Sequence, residues 1–93
     1  NYFVGNKALD NLERLVNEFH DDAMIHFRME VSLPNKEDYR QVCYLFAGIS
    51  VKTIAWLMGK NEKGLYQWRI RLRDRIESLN VDHKELFIGL LGK

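Results

Sequence analysis

Apolar residues recur every three or four positions along almost the whole chain, and that period admits helices and little else. Leu9, Leu12, Val16, Phe19, Ala23 and Phe27 form the first stripe. Tyr39, Val42, Cys43, Phe46 and Ala47 form a second, and Val51, Ile54, Ala55, Leu57 and Met58 a third. Leu65, Trp68, Leu72 and Ile76 make a fourth, and Leu86, Phe87, Leu90 and Leu91 a fifth. One Pro and six Gly among 93 residues are too few for a loop-rich β-sandwich. The expectation is an all-α fold with one modest core.

Several classes are excluded on the same grounds. A single Cys allows no internal disulfide and no Cys-rich zinc module. No apolar run approaches ~18 residues, so no membrane span is expected, and no signal peptide is visible. The start at Asn1, without an initiator Met, leads us to expect a piece of a longer protein.

The stripes and their punctuation set the expected boundaries. Asn6 caps a first helix that runs to about Arg28, some 33 Å at 1.5 Å per residue. Its outer face is acidic and polar, with Asp10, Glu13, Asn17, Glu18, Asp21 and Asp22. A helix this long is expected to serve as a linker or to pair with its twin in a dimer. Pro34 or Asn35 opens a second helix to about Ala47, and Gly48 ends it. Ser50 caps a short third helix stopped at Gly59, and Asn61 caps a fourth that runs to about Ser78. Asp82 is expected to cap the last helix.

A short helix over 50–58, a turn at 59–61 and a longer helix over 62–78 have the spacing of a helix-turn-helix. The longer helix is also the basic one. Residues 59–75 hold six Lys or Arg against two acids, a net charge of +4, while residues 1–38 hold four against eight, a net charge of −4. Overall the chain carries only +1. With Leu65 at the buried centre, a helical wheel puts Lys63, Gln67, Ile70 and Asp74 opposite it. Tyr66, Arg71 and Arg73 flank that outer face. A polarised domain of this kind presents one basic side to an acidic partner.

Here the residues resemble a family. Ser50-Val51-Lys52-Thr53-Ile54-Ala55 is similar to the scaffold-helix signature of LuxR-type helix-turn-helix domains and, more distantly, of sigma-factor region 4. Leu33-Pro34-Asn35-Lys36-Glu37 and Asn61-Glu62-Lys63-Gly64-Leu65 resemble the starts of that family's first and recognition helices. The segments 43–50 and 66–73 look like the C-terminal domains of Bacteroidetes tetratricopeptide-repeat regulators. The likeness covers about residues 33–91. Thr53, Gly64 and Trp68 depart from the family pattern.

The resemblance implies a four-helix LuxR-like domain over 33–93, preceded by a linker or dimerisation helix over 1–32. It implies a transcriptional regulator that binds double-stranded DNA as a homodimer, with helix 62–78 in the major groove. Base contacts would fall to Tyr66, Gln67 and Ile70. Backbone contacts would fall to Lys52, Lys60, Lys63, Arg69, Arg71 and Arg73. Leu86, Leu90 and Leu91 on the last helix would serve dimerisation. The fragment would be cytoplasmic, and its parent membrane-anchored. The alternative is a helix-turn-helix that kept its shape and serves protein contacts.

Other chemistry is weakly represented. Trp56 and Trp68 read as core or core-edge residues, and Cys43 as a buried inert thiol. His20, His26 and His83 lack the i, i+3 or i, i+4 spacing of a helical metal pair, so no metal site is expected. No catalytic triad, Cys-His pair or glycine-rich phosphate loop is present, so neither an enzyme nor a bound cofactor or small-molecule ligand is expected.

Overall fold

The computed structural model describes residues 6–92; residues 1–5 of the expected linker segment, and Lys93, lie outside it. Among the described residues there are six helices and no strand. They are α1 (Asn6–Phe19), α2 (Ala23–Glu30), α3 (Lys36–Phe46), α4 (Val51–Met58), α5 (Glu62–Ser78) and α6 (Lys84–Leu91). The fold is all-α, as the apolar periodicity requires.

The long first helix expected over 6–28 is instead two helices. Asp21 and Asp22 stand at φ 55° and 58°, in the left-handed region. Asp visits that region more readily than most residues, and two in succession cannot continue a right-handed helix. The stripe conceals the break because Phe19 to Ala23 keeps a step of four. Asn17 secures the reversal. Its Oδ1 accepts the backbone N–H groups of Met24 and Ile25 at 2.9 and 3.2 Å, which satisfies two unpaired donors at the start of α2. Arg28 of α2 then grips Glu13 of α1, Nε and Nη2 donating to the two carboxylate oxygens at 2.9 and 2.8 Å. That hydrogen bond holds the Arg28 guanidinium above its ordinary value despite partial burial.

Helix α2 belongs to the same core as the rest of the described chain. Phe27 is fully buried between Phe46 of α3 and Phe87 of α6, meeting both edge-on. Val16, Ala23, Met24 and Val31 are buried around it. The α2–α3 connection around Pro34 is strapped by Tyr39, whose hydroxyl donates to the Val31 carbonyl and accepts from Leu33 N–H. Arg75 of α5 reaches the same connection, donating to the Ser32 carbonyl at 3.0 Å.

The helix ends follow their punctuation. Gly48 and Gly59 sit at φ 84° and 64° as left-handed caps, and Ile49 N–H and Lys60 N–H each close a six-residue ring onto Tyr44 and Ala55 carbonyls. Ser50 Oγ accepts from Thr53 N–H at 3.2 Å, and Asn61 Oδ1 from Gly64 N–H at 3.0 Å, as expected of N-caps. Asp82 does not cap α6. His83 occupies the cap position, and its N–H is taken by Glu30 Oε1 of α2 at 2.9 Å. A distant carboxylate thus takes one of the donors at the start of α6.

Candidate nucleic-acid interface

Helices α4 and α5 pack on each other through the three-residue turn Gly59–Asn61, and α5 also packs on α6. Leu65, Leu72 and Ile76 bury one side of α5. The opposite side faces solvent. Tyr66 and Ile70 are 48% and 44% exposed, and Gln67 is exposed between them. The fold therefore puts all three expected base-contact residues on one outward row of a helix capped at its N-terminus.

The expected backbone contacts divide into two groups. Lys52, Lys63 and Arg71 are exposed and make no hydrogen bond or ion pair among the described residues. Lys60, Arg69 and Arg73 are engaged within the molecule. Lys60 Nζ lies 2.5 Å from Glu37 Oε1 and 2.5 Å from Gln41 Oε1, both on α3. Its hydrogen bond and charge hold the Glu37 carboxyl below the ordinary carboxylate range. Arg69 lies over the Tyr66 ring at 4.7 Å and donates to the Leu91 carbonyl. Arg73 pairs at 3.7 Å with Glu77 one turn on, and its Nε is buried with no hydrogen-bond partner among the described residues.

Gln41 explains the position of Lys60. It is the one buried polar residue of the described core, 1% exposed, and its carbonyl oxygen needs a donor. The Lys60 ammonium supplies it and so ties the α4–α5 turn to α3. The sequence signal is slight, since Gln41 stands where the polar start of α3 (Lys36 to Arg40) gives way to the apolar run Val42 to Phe46.

Two aromatic and apolar readings need correction. Trp56 is 80% exposed, because Ile54 and Ala55 mark the buried side of α4 and Trp56 lies ~100° further round the helix from Ala55. Trp68 is half-buried, at the core edge. Leu91, expected at a dimer contact, is 1% exposed and lies in the core of its own chain. Leu86 and Leu90 are half-buried. Cys43 is fully buried, and burial pushes its thiol up to about 12.

The expectation of no metal site rested on His–His spacing along the chain, which does not describe side chains gathered from separate helices. The fold brings His26, Glu30 and His83 together, with one donor atom from each within 4.8 Å of the others. Among the described residues no helix is long and apolar enough to cross a membrane. Comparison with protein-family models, with curated proteins and with solved structures finds no match to this chain.

Proposed function

We propose that the chain is the DNA-binding domain of a transcriptional regulator, with α5 as its recognition helix in the major groove. The observation that carries the reading is the outward row Tyr66, Gln67 and Ile70, flanked by the unpaired cations Lys63 and Arg71 and joined by Lys52 on α4. Long cations at the rim suit phosphates, and side chains at the centre of the row suit base edges. The Lys60–Gln41 tie supports the same reading, since a recognition helix must be held at a fixed attitude to the body. In this reading the domain acts as a dimer on a two-fold site and resembles LuxR-type domains in layout.

Fluorescence anisotropy with duplex DNA, titrated from low to physiological salt, tests it. The expected result is an affinity that falls steeply with salt and that Lys63→Ala/Arg71→Ala weakens at every salt concentration. A folded chain with no affinity at low salt overturns it. That outcome would favour the second reading, a helix-turn-helix shell used for protein contact. The exposed Trp56 is the observation on its side, since a large apolar ring in water suits a protein partner.

A further inference from the structure

Three metal-ligating side chains meet where α2 touches the start of α6. His26 and Glu30 lie one turn apart on α2, so both project from one face. His83 arrives from the α6 cap, 53 residues beyond Glu30. The two imidazoles lie face to face, with centroids 3.7 Å apart and planes 14° from parallel. His83 Nδ1 makes a short contact with Glu30 Oε2, and His26 Nδ1 lies 3.9 Å from that same oxygen.

We propose that His26, Glu30 and His83 form a site for one divalent transition-metal ion, with zinc the best chemical match. Two imidazole nitrogens and one carboxylate oxygen are a donor set zinc takes when water fills a fourth position. Magnesium and calcium prefer all-oxygen shells, which two imidazoles do not provide.

The surroundings suit the ion. Glu30 Oε1 accepts the His83 backbone N–H at 2.9 Å, so the carboxylate is fixed and Oε2 is presented to both rings. The His26 ring has no hydrogen bond among the described residues, because 3.9 Å is too long for one. Its Nδ1 is thus without a hydrogen-bond partner among the described residues. The histidine side chains are 31% and 37% exposed, so water can complete the shell from the solvent side. Ligands around zinc lie roughly 3.4 Å apart when bonds are ~2.1 Å, so a separation of 4.8 Å must close by roughly 1.4 Å, the short Glu30–His83 contact must open, and the stacked rings must rotate until both nitrogens point at one ion. The half-exposed rings have room to make that movement. Bound there, the ion would clip α2 to α6 across the whole helix-turn-helix segment.

The test uses the full chain, free of affinity tag and stripped of metal with a chelator. Zinc is titrated by calorimetry, and cobalt(II) by visible absorption. The expected result is one ion per chain, micromolar affinity or tighter, a tetrahedral cobalt spectrum and a melting temperature that rises with zinc. His26→Ala and His83→Ala should each weaken binding tenfold or more, while His20→Ala leaves it unchanged. The His26 ring makes no hydrogen bond among the described residues, and His26→Ala leaves the Glu30–His83 hydrogen bonds in place, so it decides the matter even if His83→Ala unfolds. Circular dichroism checks this. Absence of one-to-one binding, or binding that survives His26→Ala, overturns the proposal and leaves the cluster a metal-free hydrogen-bonded latch.

Discussion

Phe27 of α2 meets Phe87 of α6 edge-on, ring centroids 5.2 Å apart and planes 79° from parallel. The contact makes the N-terminal segment part of the core that supports α5. Edge-to-face pairs contribute about 0.5–1.5 kcal/mol beyond the area they bury. Phe27→Ala should therefore lower stability by about 3–5 kcal/mol in urea unfolding. Phe19→Ala, at a side chain 76% exposed, should stay within about 0.5 kcal/mol. Equal effects would mean that α2 docks weakly.

The reversal between α1 and α2 rests on Asn17 and on two left-handed aspartates. Asn17→Ala should cost about 1 kcal/mol, the usual worth of a side-chain cap. Asp22→Gly should be neutral or stabilising, because glycine adopts positive φ without a Cβ penalty, whereas Asp22→Ala should cost about 1 kcal/mol. Equilibrium unfolding of the three variants checks the ordering.

On DNA, the cations of α5 should separate by whether they are already engaged. Arg71→Ala should reduce the slope of log K against log salt by about 1 with little change in melting temperature. Arg69→Ala should do the reverse, since that side chain lies over Tyr66 and reaches the Leu91 carbonyl. A salt titration beside a thermal melt for each variant distinguishes the two.

How far these features were legible depends on the distance over which each is determined. Gly48, Ser50, Gly59 and Asn61 act within a few residues, so the ends of α3, α4 and α5 follow from local rules. The break at Asp21 does not, because a step of four across it preserves the stripe. Asp82 has the chemistry of a cap, yet Glu30 satisfies the donor from another helix. The exposure of Tyr66, Gln67 and Ile70 follows from a single helix wheel, which needs no knowledge of how helices pack. The engagement of Lys60 with Gln41, and the meeting of His26 with His83, depend on how separate helices pack, and no spacing along the chain encodes that.

Cys43 should resist thiol reagents at pH 8 in the native chain and react on unfolding. Burial favours its neutral form, raising it from 9.0 to about 12. Its contribution to stability is whole below pH 9.0 and is lost as pH rises toward 12. Stability measured from pH 8 to 11 should thus fall less steeply in Cys43→Ala than in the parent chain. An equal slope would locate the alkaline sensitivity elsewhere.

The seam between α2 and α6 also bears on the order in which the chain assembles. Helices α4 and α5 are sequence neighbours and close their contact across a three-residue turn. The His83–Glu30 and Arg75–Ser32 contacts instead span 53 and 43 residues. Loop-closure entropy delays such contacts until the intervening chain is ordered. Helix α6 has eight residues, too few to persist alone in water. Its helix therefore depends on packing, on α5 beside it in the chain and on α2 and α3 across the seam, and only the second set waits for the N-terminal segment.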